Sequence, residues 1–233
     1  MNAIPTLVYI VDDDPEVRRA LGRLLRSAGH ATRSFGSASE FLVSGEGRLS
    51  AGCIILDLAM PGLNGLELQQ CLTDSGCHRP IIFLTGNGDI SKTVQAMKAG
   101  AVNFLTKPVD DRELLAAVEE ALRVDAAERA AWNSRHSASE RLSTLTRRER
   151  QVFDQVVAGR LNKQIAAQLG IVEKTIKVHR ARVMRKMQAG SIVQLVHLAS
   201  LIGVDTWAAP LNEPLTARNL NTQPEPEAEH SSP

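Results

Sequence analysis

Short apolar runs alternate with amphipathic stretches over the first half of the 233-residue chain. Such short, continuous runs are typical of strands buried on both faces of a parallel sheet. The stretches between them place apolar residues three and four positions apart, which indicates helices. The alternation predicts a doubly wound α/β domain of (βα)5 order over residues 1–124. Its predicted strands are 7–11, 31–35, 53–57, 80–85 and 101–106.

End signals place the helices between these strands. Asp14 is a suitable N-cap and Pro15 suits the first helical position, so the first helix begins there. Gly29 ends it. The other predicted helices span about 39–43, 65–72, 90–99 and 111–124.

Four of the predicted strands lead into chemically distinctive residues. These are Asp12, Asp13 and Asp14 after the first strand, Asp57 at the end of the third, Thr85 at the end of the fourth and Lys107 after the fifth. Because the carboxyl ends of parallel strands meet at one edge of a sheet, we expect these side chains to share a pocket. A single Asp in such a place is often only a helix or turn cap, but the convergence of several argues against that alternative.

The predicted pocket carries more negative than positive charge. Two carboxylates about 4 Å apart repel by roughly 4 kcal/mol at an effective dielectric constant near 20, so Lys107 alone cannot offset three of them. A hard divalent cation such as Mg²⁺, or Mn²⁺ in its place, can. The pattern then indicates phosphoryl chemistry, with Asp57 as the nucleophile. Thr85 and Lys107 would contact phosphoryl oxygens.

Charge is distributed unevenly along the chain. Residues 1–124 carry 12 Lys and Arg against 15 Asp and Glu, whereas residues 143–200 carry 11 against 3, a net charge of +8. A short segment this basic indicates a polyanionic partner, most simply nucleic acid. The alternative is a basic face that is merely solvated.

The basic segment contains the helix start and stop signals of a small all-α helix-turn-helix domain. Thr146 and Glu149 form a capping-box pattern, and Gly159 ends the first helix. Asn162 is the expected cap of a second helix that stops at Gly170. A third helix begins near residues 172–173.

The third helix has two different faces when placed on a helical wheel. Ile176, Val183 and Met187 lie on one side, and we place Arg180 near that side. Basic residues around small apolar ones form the opposite face, which suits a major groove. The predicted DNA-contacting residues are Lys163, Lys174, Thr175, Lys177, Val178, Arg182 and Arg185.

The remaining sequence features concern the cellular location, the linker and the C-terminal tail. Three cysteines without metal-type spacing suit a reducing cytoplasm. We expect neither a signal peptide nor a transmembrane helix, so a cytoplasmic location without membrane association is predicted. Residues 125–142 are interpreted as a helical extension or linker in which Trp132 anchors packing. The tail, residues 204–233, is predicted to be disordered.

The first domain resembles the receiver domain of two-component response regulators. The segments VDDDPEVR, LDLAMPGLNGLEL, IIFLTGNGD and MKAGAVNFLTKP carry the resemblance. It implies that Asp57 accepts a phosphoryl group from a sensor histidine kinase. It also implies a metal site that includes Asp57, in which Asp13 is a direct Mg²⁺ ligand and Asp12 acts nearby. The backbone carbonyl of Ala59 completes this site. By the same resemblance, Thr85 and Phe104 correspond to the family's switch pair. The Lys107–Pro108 peptide bond corresponds to a bond that is cis in the family.

Residues 143–203 resemble the LuxR-type DNA-binding domain of the NarL/FixJ class, through LTRRERQV, NKQIAAQLGI and KTIKVHRARVMRKM. One departure is Val172, where many relatives have a capping Ser. The combined resemblance, nearest to the FixJ-like branch, implies a transcription activator that binds operator DNA as a homodimer and works with RNA polymerase. We expect no turnover of an external substrate. The alternative is a phosphorylation-independent regulator with a vestigial receiver.

Overall fold

The computed structural model describes residues 6–45, 51–86 and 90–204. The chain divides into two compact units, and the division falls between Asn133 and Ser134. Each unit is therefore described by itself. The predicted disordered tail lies outside the described residues, apart from Val204.

A five-stranded parallel sheet in the order β2-β1-β3-β4-β5 forms the centre of the first unit. All residues of β3 and β4 are buried, which agrees with their continuous apolar sequences. The predicted doubly wound α/β fold is confirmed, and the strand order brings the ends of β1, β3 and β4 side by side. The strands are β1 Thr6–Val11, β2 Ala31–Phe35, β3 Ala51–Asp57, β4 Ile81–Thr85 and β5 Asn103–Thr106.

Helices alternate with these strands as the hydrophobic pattern predicts. Asp14 caps the first helix, since its Oδ1 accepts a hydrogen bond of 2.7 Å from the N–H of Glu16. Pro15 occupies the first helical position, as predicted. The helices are α1 Pro15–Ser27, α2 Ala38–Ser44, α3 Gly65–Asp74, α4 Ile90–Lys98 and α5 Asp111–Ser143.

Helix α5 is longer than the hydrophobic pattern predicts. The Ala-, Glu- and Arg-rich stretch over residues 125–142 continues the same helix to Ser143, in agreement with the helical extension predicted there. These residue types have high helix propensity even without an apolar face. Trp132 is 61% exposed, however, so its interpretation as a packing anchor is wrong.

Four helices pack around a separate apolar core in the second unit. They are α6 Arg147–Val157, α7 Asn162–Leu169, α8 Glu173–Lys186 and α9 Ile192–Leu201. The core contains Phe153, Ile165, Ile176, Val183 and Leu195, all with no exposed surface. This arrangement confirms the predicted small helical domain.

The start of α7 differs from the prediction. Asn162 is the first helical residue and not the cap. Its Oδ1 accepts a 2.9 Å hydrogen bond from Nη1 of Arg180 in α8, so the side chain is used between helices. The N–H of Leu161 instead donates a 2.9 Å hydrogen bond to Oε1 of Gln164. Val172 precedes α8 without a side-chain cap, as its chemistry requires.

An ion pair between a buried glutamate and a half-buried lysine joins the beginning of α6 to the end of α8. Glu149 is 3% exposed, and its Oε2 accepts hydrogen bonds of 2.6 Å from Nζ of Lys186 and 2.9 Å from the N–H of Thr146. The Lys186 hydrogen bond, followed by that from Thr146, lowers the pKa of Glu149 to about 2.

This ion pair predicts a specific acid sensitivity. Because the pKa of Glu149 lies below its usual value of 4.5, its stabilising effect is complete above pH 4.5 and is lost as the pH falls towards about 2. We expect Glu149→Gln to lower the unfolding free energy at neutral pH by on the order of 2 kcal/mol, and this difference to shrink at acid pH. Thermal unfolding of the full chain measures it. A difference independent of pH, or an equal effect of the exposed Glu140→Gln, would contradict the prediction.

Among the helices in the described part of the chain, none is long and apolar enough to cross a membrane.

Candidate functional site

Three carboxylates meet where β1 and β3 end. Asp12 and Asp57 are buried, 1% and 5% exposed, whereas Asp13 is exposed. Each offers an oxygen atom, and these atoms all lie within 4.8 Å of one another. The predicted convergence of the strand-end carboxylates is therefore present in the structure.

Lys107 lies between two of these carboxylates. Its Nζ donates to Oδ2 of Asp12 at 2.7 Å and to Oδ1 of Asp57 at 3.0 Å. Burial raises the pKa of Asp57, Lys107 opposes this effect, and the charges of Asp12 and Asp13 add to it. For Lys107, burial acts to lower the pKa, but hydrogen bonds to Asp12 and Asp57 outweigh it and raise the pKa. The ammonium group thus stays charged beside the nucleophile predicted from the sequence.

Backbone contacts fix the positions of these acids. Oδ1 of Asp12 accepts from the N–H of Asp14 at 2.9 Å, and the Asp12 carbonyl accepts from Nη1 of Arg18 at 2.6 Å. A Cβ atom on Gly65 would lie 2.4 Å from the carbonyl oxygen of Asp57, so only glycine lets α3 approach this closely. Arg18 and Gly65 were not predicted as part of this site. The glycine within LNGLEL was the available signal for the second.

Thr85 and Phe104 lie on neighbouring strands. Thr85 is buried at the end of β4, and its carbonyl accepts a 2.7 Å hydrogen bond from the N–H of Lys107. Phe104 is half-buried in β5, with its ring centroid 6.3 Å from that of Phe83. The structure therefore brings Thr85 and Lys107 to one edge of the sheet, while Phe104 packs beside β4.

The donor set of the acidic pocket fits a hard cation. Three carboxylates clustered at one edge of the sheet supply the oxygen ligands that Mg²⁺ and Mn²⁺ prefer. Ala59 follows Asp57 by two residues and is exposed. The Lys107–Pro108 peptide bond is cis, as the resemblance implies.

Helix α8 presents the two faces that the helical wheel predicts. Ile176, Val183 and Met187 have no exposed surface. Arg180 is half-buried and bonded to Asn162, which agrees with its predicted place near the inner side. All the predicted DNA-contacting residues are exposed except Thr175, which is half-buried.

One contact on the outer face of α8 was not predicted. Nζ of Lys177 lies 3.4 Å from Oε1 of Glu173, in an exposed i,i+4 pair. Exposed pairs of this kind are worth only about 0.3–0.5 kcal/mol, so Lys177 can exchange this partner for a phosphate at little cost.

Comparisons with known proteins agree with this geometry. Residues 8–119 match the family described as response regulator receiver domain, and residues 143–199 match bacterial regulatory proteins of the luxR family. The chain is 44% identical to the transcriptional regulatory protein FixJ of Azorhizobium caulinodans over 84% of this chain and 93% of that protein. It is 45% identical to the response regulator protein TodT of Pseudomonas putida over 85% and 87% of the two chains.

The chain belongs to the FixJ-like response regulators. A solved structure of the response regulator StyR superposes with a TM-score of 0.77 at 45% identity, covering 85% of this chain and 99% of that one. Full-length FixJ from B. japonicum superposes with a TM-score of 0.53 at 40% identity, covering 86% and 98%. This regulator thus joins a receiver domain to a LuxR-type DNA-binding domain, the architecture of a two-component transcription regulator.

Proposed function

We propose that phosphorylation of Asp57 controls the binding of this regulator to operator DNA. The observation that carries the proposal is the position of Asp57, which ends the buried strand β3 with Lys107 3.0 Å away and Asp12 and Asp13 alongside. The proposed receiver domain covers residues 1–124. The linker part of α5 covers residues 125–142, and the DNA-binding domain covers residues 143–203.

The chemistry at Asp57 is a phosphoryl transfer. A carboxylate oxygen of Asp57 attacks the phosphorus of a phosphohistidine on the sensor kinase. The new O–P bond forms as the P–N bond breaks, and the imidazole nitrogen leaves with the electron pair and takes up a proton. The Lys107 ammonium and the Thr85 hydroxyl then donate hydrogen bonds to phosphoryl oxygens, which stabilises the charge they carry.

A divalent cation belongs to this proposed site. Asp12, Asp13, Asp57 and the backbone carbonyl of Ala59 would hold Mg²⁺ or Mn²⁺, which shields the negative charge of the phosphoryl group when bound. The excess of carboxylates over cationic side chains at the sheet edge supports this assignment.

The consequence of phosphorylation is a change at the β4–β5 edge of the receiver. As the Thr85 hydroxyl is drawn to the phosphoryl group, the half-buried ring of Phe104 gains room to move inward. We propose that this change promotes a homodimer, which places two α8 helices on the half-sites of an operator and increases the effective concentration of each. Transcription activation would then require contact with RNA polymerase.

The proposed DNA face predicts a salt-dependent loss of binding. In the full-length chain, Arg182→Ala combined with Arg185→Ala removes two cationic side chains from the exposed face of α8. We expect a loss of affinity for a 30-base-pair duplex of about tenfold to a hundredfold. We also expect the slope of log Kd against the logarithm of the salt concentration to fall by about 0.9 for each lost phosphate contact. Fluorescence anisotropy over a salt series measures both.

A matched variant separates this effect from loss of net charge. Arg123→Ala combined with Arg135→Ala removes two exposed arginines from α5, outside the residues matched by the luxR family. We expect this variant to bind the duplex like the wild-type chain. Equal weakening by the two double variants would contradict the assignment of the α8 face.

A further inference from the structure

One backbone N–H of β3 lies where its neighbouring strand has not yet begun. Strand β3 pairs with β4 only from Ile54, whose N–H donates to the carbonyl of Pro80 at 2.9 Å. Because N–H groups two residues apart in a strand point to the same side, the N–H of Gly52 points to the β4 side as well. It needs an acceptor from elsewhere, since a buried N–H without a partner is costly.

A side chain of α5 supplies this acceptor. Oδ2 of Asp125 accepts from the N–H of Gly52 at 3.0 Å and from Nε of Arg129 at 2.9 Å. Asp125 is only 6% exposed, so its carboxylate depends on these partners. Burial, followed by the charge of Asp125, raises the pKa of Cys53 to about 12.

Asp125 is also the last buried residue of α5 within the first unit. Beyond it, the helical side chains are exposed or half-buried as far as Ser137, in the second unit. Strand β3 runs from Ala51 to Asp57, so one short strand has the Asp125 contact at its beginning and the phosphoacceptor at its end. The hydrogen bond from Gly52 to Asp125 therefore connects β3 directly to α5.

We propose that Asp125 is a positioning residue that couples strand β3 to the linker part of α5, so that the state of Asp57 is transmitted to residues 126–143. The coupling rests on the proposed function, because it requires a phosphoryl signal at Asp57. The chemistry needs only the ionised carboxylate, the Gly52 N–H and the Arg129 guanidinium. No residue of the DNA-binding face takes part.

Hydrogen exchange of the full-length chain tests this coupling. Wild-type protein and Asp125→Ala are compared with Mg²⁺ alone and with Mg²⁺ and beryllofluoride, a phosphoryl mimic. Without the mimic, we expect residues 126–133 to exchange about tenfold faster in the variant, as the loss of a hydrogen bond to a charged group implies. With the mimic, exchange in 126–143 changes in the wild-type chain and does not change in the variant, while peptides around Asp57 respond in both.

Two further variants make the result specific. Glu120→Ala removes an exposed acid one turn earlier on α5 and is expected to behave like the wild-type chain. Arg129→Ala leaves the Gly52 contact and removes only the half-exposed partner, so it gives a smaller change of the same kind even if Asp125→Ala unfolds.

The outcomes distinguish the coupling from the proposed function. If peptides around Asp57 respond to beryllofluoride in every variant and residues 126–143 respond equally in the wild-type chain, Asp125→Ala and Arg129→Ala, the coupling is wrong and the proposed function stands. If the wild-type chain shows no response around Asp57, the proposed function fails and the coupling fails with it.

Discussion

Replacing Asp57 with asparagine is expected to abolish phosphoryl incorporation into the full-length chain. The amide lacks the anionic oxygen that attacks phosphorus. The substitution also leaves Lys107 without its second carboxylate partner in the buried site at the end of β3. Incubation with acetyl phosphate and Mg²⁺, followed by intact-mass measurement, should show one added phosphoryl group per wild-type chain. The Asp57→Asn chain should show none.

A second aspartate provides the control for this result. Asp74 is exposed at the end of α3, where its Oδ1 accepts a 2.7 Å hydrogen bond from Gln70. Asp74→Asn should incorporate phosphoryl groups like the wild-type chain. Undiminished incorporation by Asp57→Asn would show that the phosphoacceptor has been assigned to the wrong residue.

Gly52→Ala is expected to destabilise the first unit by on the order of 4 kcal/mol or more. Gly52 has φ +142°, a conformation that L side chains rarely adopt, and a Cβ atom there would lie 1.7 Å from the carbonyl oxygen of Leu7. Leu7 is its partner in the parallel register with β1, so the clash is with backbone and cannot be relieved by a rotamer change. Urea unfolding of the full chain, followed by circular dichroism, measures the loss.

The appropriate comparison is Gly76→Ala. Gly76 has φ +74°, but a Cβ atom there meets nothing within 4 Å, so its substitution tests the backbone conformation alone. We expect a cost of about 1 kcal/mol. If the two variants were equally stable, the close approach between β1 and β3 would not matter for the fold.

The acidic pocket was predictable from sequence because it follows from strand ends. The local sequence shows where each apolar run, and so each strand, ends. Because the carboxyl ends of parallel strands lie at one edge of the sheet, Asp12, Asp57 and Lys107 can be placed together without knowledge of the packing. The faces of α8 were predictable for a similar reason, since a helical period assigns Ile176 and Val183 to one side.

Contacts between distant segments were not predictable in this way. The local signal at Asn162 favoured a cap, but Arg180 of the following helix engages its side chain. Nothing near Asp125 in the sequence points to Gly52, which lies 73 residues away. The second half of α5 was predictable as helix from its residue types, but it has no apolar stripe, so its packing partners were not predictable.

The most direct measurement is the solution mass of the full-length chain by light scattering, with Mg²⁺ and with or without beryllofluoride. If phosphorylation of Asp57 drives dimerisation, the wild-type chain has the monomer mass of 25.3 kDa without the mimic and twice that mass with it. The Asp57→Asn chain stays at the monomer mass in both conditions. A wild-type mass that does not respond to beryllofluoride, or an equal response in Asp57→Asn, would contradict the proposed dimerisation by phosphorylation of Asp57.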